Sequence, residues 1–197
     1  MLLLLVGCFP SATDLGPDGS TDTTPADSGT VVTDPEADDA RVRALTDLPE
    51  GDAPCREPVL VRVSFTVDGD TFYARAEEDD EQLNVRMIGV DTPEVSHEGE
   101  PAECFANEAW TFSAEALEER LAWLTFDAEC TDAYDRSLAY VIRGEGASGF
   151  HNRVLARGGY ADELTIAPND TWADAIADDV REARSEGKGL WGACDGR

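Results

Sequence analysis

Val59, Val61, Val63, Phe65 and Val67 alternate strictly with other residues, and Asp68-Gly69 follows at once. A period of two places every second side chain on one face, so this is a half-buried strand, and Asp-Gly is a hairpin turn signal. Thr71 to Glu77 reads as the returning strand. After the acidic turn Glu78-Asp79-Asp80-Glu81, Leu83 to Val90 reads as a third, completing an antiparallel meander. Phe105, Ala109, Phe112 and Ala116 then recur at helical spacing, which predicts a helix over about 106–120. Short strands follow at Trp123–Phe126 and Leu138–Arg143, and helices around 149–157 and over the run Ala173, Ile176, Ala177, Val180, Ala183. Five strands with three helices make an α+β chain, and this order suits an OB-type β-barrel.

Chemistry concentrates in Arg86-Met87-Ile88-Gly89-Val90-Asp91-Thr92-Pro93-Glu94. Arg86 lies between apolar Val85 and Met87, so it points to the face opposite theirs and needs a partner if covered. Pro93 stops the strand, leaving one cation and two carboxylates, Asp91 and Glu94, at a single rim. Asp70, just past the first hairpin turn, joins them if the strand ends meet, while Asp68 reads as a turn residue. Paired carboxylates attract a hard cation such as calcium, and a guanidinium attracts phosphate; both together suit a metal-assisted phosphodiesterase. Tyr134-Asp135-Arg136 brings a second arginine to another loop–strand junction. His97 and His151 stand at no catalytic or metal-ligand spacing, so both read as structural or exposed. The four tryptophans read as core or rim residues rather than stacking platforms.

Charge pulls the other way. The chain carries 42 acidic and 15 basic residues, a net charge of −27, and Lys188 is its sole lysine. A binder of polyanions ordinarily shows a basic patch. Residues 9–54, rich in Pro, Thr, Asp, Gly and Ser, read as a disordered acidic linker. Residues 1–8 are apolar up to Gly7, and Leu5-Val6-Gly7-Cys8 resembles a bacterial lipobox without a basic n-region; an incidental cysteine is the alternative. Lipidation at Cys8 would anchor an exported protein to a bacterial membrane, and without it the protein would be secreted. Export would leave Cys55, Cys104, Cys130 and Cys194 for two disulfides. The pairings Cys55–Cys194, bracketing the domain, and Cys104–Cys130, bracketing a helix, are favoured, though sequence does not fix connectivity. No signal for oligomerisation stands out, so the chain reads as a monomer.

Val67-Asp68-Gly69-Asp70-Thr71, Arg86 through Glu94, Glu108-Ala109, Tyr134 through Tyr140 and Gly189-Leu190-Trp191 together resemble the staphylococcal nuclease family, in its order and with similar spacing. The likeness spans about 58–191, within a domain taken as 55–197. It implies a five-stranded OB barrel with three helices that hydrolyses phosphodiester bonds of DNA or RNA with Ca2+ and leaves 3′-phosphate ends, endo or exo action left open. By position it implies calcium ligands at Asp70, Asp91 and the Thr92 carbonyl. It implies a water-positioning Glu94, a phosphate clamp of Arg86 and Arg136, and a nucleotide contact at Tyr134. Asp135 stands where the family often has glycine, Ala133 where it can have lysine, and Leu164 and Ile166 where it can have nucleotide-contacting tyrosines. A non-catalytic binding module on the same barrel is the alternative reading.

Overall fold

A computed structural model describes residues 34–96 and 99–194. The meander forms as the pattern predicts: β1 (Val59–Thr66), β2 (Thr71–Ala76) and β3 (Gln82–Met87) pair antiparallel in turn. The third strand ends earlier than its apolar run suggests. Ile88 interrupts it, Gly89 takes φ +82°, and β4 (Gly89–Asp91) leaves to pair with β7 (Asp162–Leu164). A side chain at Gly89 would meet both that backbone conformation and the Ile176 side chain 2.5 Å away. β5 (Leu121–Thr125) pairs antiparallel with β1 and with β6 (Ser137–Ile142). β6 closes the barrel by pairing parallel with β3, Arg86 opposite Leu138. The closed order β1-β2-β3-β6-β5 gives the five-stranded OB-type α+β architecture.

The barrel is filled by inward residues of every strand, among them Val61, Val63, Phe72, Val85, Met87, Leu124 and Val141, all buried. Burial of these apolar side chains removes the area that drives folding. α2 (Ala106–Leu117) presents Ala106, Ala109, Ser113 and Leu117 inward, one helical stripe. α4 (His151–Gly158) and α5 (Ala173–Ser185) pack on each other and add Leu155, Ile176 and Val180 to the core. The short α3 (Gly146–Gly149) and α6 (Leu190–Ala193) complete the described helices after α2.

Three expectations need correction. Phe65 does not join Val61 and Val63 in the core. A β-bulge between Val63 and Phe65 shifts the register, and Phe65 turns outward, 51% exposed.

The expected linker over 9–54 is folded in its described part, residues 34–54. Asp34 caps α1 (Pro35–Arg43), accepting the Glu36 N–H at 3.0 Å. This helix has no broad apolar stripe, which is why its sequence resembles a tether. It docks through Val42, its one fully buried apolar side chain, and otherwise through charge and backbone groups. Asp38 meets Arg143, Arg41 and Arg120, Asp39 meets Arg62 at 2.7 Å, and the Trp123 indole donates to the Val42 carbonyl at 3.0 Å. Beyond the helix, Gly51 N–H donates to the Phe126 carbonyl at 2.8 Å, and the Trp172 indole to the Glu50 carbonyl at 3.0 Å. The lipobox, Cys8 and residues 9–33 lie outside the described residues.

The disulfides are Cys55–Cys130 and Cys104–Cys194, not the pairings favoured from sequence. Cys55 N–H donates to the Asp127 carbonyl, which sets Cys55 beside the start of the 130–136 loop, while α6 returns Cys194 to the loop before α2. Proximity follows tertiary pairing, to which bracketing along the chain is blind.

Candidate functional site

The β1–β2 turn is built by Asp68. Its Oδ1 accepts the N–H groups of Asp70 (3.0 Å) and Thr71 (2.6 Å), an Asx-type turn consistent with the turn role read from sequence. The turn is held from two sides. A side chain at Gly69 would lie 2.7 Å from the Thr92 methyl, so only glycine lets the turn approach that residue. On the other side the buried Ser113 hydroxyl donates to the Gly69 carbonyl at 2.5 Å. Because its proton is so used, Ser113 Oγ accepts from His151 Nε2 at 3.2 Å, which fixes His151 as the Nε2–H tautomer. Burial, and secondarily the charge of Arg143, push the His151 pKa down to about 3, so the ring is neutral and structural as expected. His97 lies outside the described residues.

So positioned, Asp70 is the hub of the site. It is 3% exposed, and its Oδ2 accepts the Thr92 N–H at 2.6 Å and the Thr92 hydroxyl at 3.0 Å. Its Oδ1 lies 3.0 Å from Arg86 Nη1. The same guanidinium donates to the Val90 carbonyl (2.7 Å), the Met87 carbonyl (3.0 Å) and Asp91 Oδ1 (2.9 Å). Arg86 thus has the partners its position demands. A carboxyl beside a guanidinium is ordinarily held ionised, yet burial pushes Asp70 up to about 7. Arg86 opposes that rise, Asp68 adds to it, and the Thr92 bonds reduce it.

Two carboxylates, one buried and one at the rim, therefore converge on a single monovalent cation. Together with backbone oxygens they are a donor set suited to a hard cation that also keeps water. Among the described residues, no group of three or more His, Cys, Asp and Glu side chains is placed to hold a metal. Any such ion would therefore draw on carbonyl and water oxygens.

Arg136 is presented by a loop that Asp132 organises. Asp132 Oδ1 accepts the N–H groups of Tyr134 (3.0 Å) and Arg136 (2.9 Å), and Oδ2 accepts Arg136 Nε at 2.7 Å. Burial raises the Asp132 carboxyl, but these bonds outweigh it and hold it below the usual range. Asp135 takes φ +63°, which explains why glycine suits this position; aspartate is among the few other residues that tolerate it. Tyr134 is 82% exposed, and the Arg136 guanidinium lies 5.6 Å from its ring centroid. Arg86 and Arg136 line one cleft of about 280 Å³, whose other walls include Leu138, Leu164 and Ile166.

Of the residues expected at a site, Asp70, Arg86, Asp91 and Thr92 form one bonded network, Arg136 shares the cleft of Arg86, and Tyr134 stands against Arg136. Glu94 stands on the exposed loop after Pro93. Its N–H donates to Glu103 Oε2 at 3.2 Å, and its carbonyl accepts the Glu103 N–H at 2.9 Å. Sequence reasoning missed Asp132 and Ser113. An aspartate two residues before Tyr134 and four before Arg136 carries a legible Asx signal, whereas Ser113 is one more small residue on a helix stripe.

The family described as "Staphylococcal nuclease homologue" matches residues 84–193. The chain is 33% identical to a protein named Thermonuclease from Staphylococcus hyicus over 130 residues, 66% of this chain and 74% of that one. It is likewise 33% identical to a Thermonuclease from Staphylococcus intermedius over 129 residues, with the same coverage of 66% and 74%. An uncharacterized protein of Bacillus anthracis is 30% identical over 138 residues, 68% of this chain and 62% of that protein. With that match across more than half its length, on a closed five-stranded barrel of the expected topology, the chain belongs to the staphylococcal nuclease homologue family.

Proposed function

We propose that the protein is a calcium-dependent nuclease that hydrolyses phosphodiester bonds of DNA or RNA and leaves 3′-phosphate ends. The observation that carries this reading is Arg86, bonded to Asp70 and Asp91 while opening on the cleft it shares with Arg136. Asp70, Asp91 and the Thr92 carbonyl would hold the calcium, which would supply positive charge beside the reacting phosphate. Arg86 exchanges Asp91 for a phosphoryl oxygen, and Arg136 takes a second, so that two guanidinium groups offset the charge that builds in the transition state. Tyr134 packs against the nucleotide. Glu94 orients a water molecule and takes its proton as the water oxygen bonds to phosphorus. The bond to the 5′ oxygen breaks, and that oxygen is protonated from solvent.

The reading extends to location. Two disulfides suit an oxidising compartment, and Leu5-Val6-Gly7-Cys8 suits an exported monomer anchored by lipid at Cys8. Detergent-phase partitioning that vanishes in Cys8→Ala tests the anchor.

Hydrolysis of single-stranded DNA, with calcium and with chelator, tests the chemistry. Activity should need calcium and fall about a hundredfold or more in Glu94→Gln and in Arg136→Ala. A folded wild type with no activity at any calcium or salt concentration would refute the enzyme and leave a binding module.

A further inference from the structure

An acidic chain that acts on a polyanion must grip it by something other than a basic groove. The bulge in β1 indicates what. It turns Phe65 out of the core and onto Tyr73, its cross-strand partner in β2. The rings stack at 4.9 Å between centroids and 27° between planes, while Phe65 stays 51% and Tyr73 40% exposed. Exposed stacked aromatics cost solvation and add nothing to the barrel interior, and bulges recur beside active sites, where they re-aim side chains.

Register ties this pair to the site. Tyr73 lies opposite Asn84, and two residues along, about 7 Å on the same outer face, Thr71 lies opposite Arg86. Trp110 of α2 extends the aromatic surface, 39% exposed and anchored by its indole N–H to the Thr66 carbonyl at 3.2 Å. Of the other large apolar side chains exposed among the described residues, Leu164 and Ile166 line the cleft of Arg86 and Tyr134 stands against Arg136.

We propose that Phe65 and Tyr73, flanked by Trp110, form a stacking platform for unpaired bases of the nucleic-acid strand whose phosphate enters the Arg86–Arg136 cleft. The favoured ligand is therefore single-stranded. This rests on the nuclease reading for the identity of the ligand. Every base has a π-face, so stacking holds a strand without cations and without sequence preference, and it requires bases that are not already paired. It also gives a shallow dependence on salt, since few counterions are released. The tryptophan at 110 is then more than the rim residue its sequence suggests.

The test is fluorescence anisotropy of a labelled oligothymidylate, alone and as a duplex, with the full chain carrying Glu94→Gln so that nothing is cleaved. Phe65→Ser and Tyr73→Ser should each weaken single-strand binding about tenfold. Phe65→Trp should retain it, which separates loss of stacking from loss of fold. Inorganic phosphate, which has no base to stack, should compete for the cleft equally in all variants. Equal oligothymidylate affinity in the Phe65→Ser/Tyr73→Ser double variant, or equal affinity for duplex and single strand, overturns the proposal. So does gel filtration in which the aromatic variants lose self-association instead, which would make this face a contact between copies. The two readings fail separately. Platform-dependent binding by a wild type that cleaves nothing ends the nuclease reading alone, and normal binding by the variants of an active enzyme ends the platform alone.

Discussion

Removing the Cys55–Cys130 bridge by the double substitution Cys55→Ser/Cys130→Ser is the sharpest test of the fold, because sequence alone favours a different partner for each cysteine. The two residues are 75 apart in the chain, and closing a loop of that size removes unfolded-state entropy worth about 4.5 kcal/mol at 25 °C. Measured bridges commonly deliver less, so about 3 kcal/mol is the working expectation. Unfolding entropy of roughly 2.1 cal/mol/K per residue, over roughly 160 ordered residues, converts that to a fall in Tm of about 9 °C. The 130–136 loop keeps its other ties, Leu138 N–H to the Cys130 carbonyl at 2.9 Å and the Asp132 bonds, so Arg136 stays presented. Calorimetry measures the first effect, and thiol titration under denaturing conditions measures the pairing. With Cys104–Cys194 intact, the variant shows no thiol beyond Cys8. Two further free thiols, or a Tm equal to that of the parent, would refute the assignment.

Asp38→Ala leaves Arg143, which has a 15% exposed side chain, without its carboxylate; it should cost roughly 3 kcal/mol and open residues 34–54 to protease, read by denaturant titration and limited digestion. His151 is held neutral with a folded pKa of about 3, against 6.5 unfolded, so the unfolded chain takes up the extra proton. Stability should then decline as pH falls from about 6.5 toward 3, by at most about 1.4 kcal/mol per pH unit from this group, and His151→Gln should remove that component from the pH profile of urea midpoints. Asp135→Gly relieves a positive φ and removes a negative charge beside Arg136; KM for DNA should fall severalfold with little change in Tm, and an unchanged KM would rule out the charge as an obstacle.

Much of the barrel was legible because its inward residues obey period two from Val59 to Val63 and from Phe72 to Ala76, and α2 obeys its own period. Phe65 was misplaced because a bulge leaves no mark in composition and reverses every alternation beyond it. The segment 34–54 was misread because a helix held by Asp38, Asp39 and backbone carbonyls needs no apolar stripe. At the site, the residues that carry charge were visible, since arginine and aspartate at strand ends are conspicuous. The residues that position them were not: Ser113 and Gly69 act through one carbonyl and one missing side chain, which only the packed turn reveals.

The parallel pairing of β3 with β6 also bears on how this site can diversify. Arg86 is in β3, and Arg136 stands two residues before its cross-strand partner Leu138, so the separation of the two guanidinium groups is written into a backbone ladder. α2, which lies between them in the chain, stands outside that ladder and outside the Asp132 loop that presents Arg136. Insertions there can remodel what the cleft accepts while the arginine spacing stays fixed. A slip of one residue in the ladder would instead send Arg86 into the barrel and destroy clamp and core together.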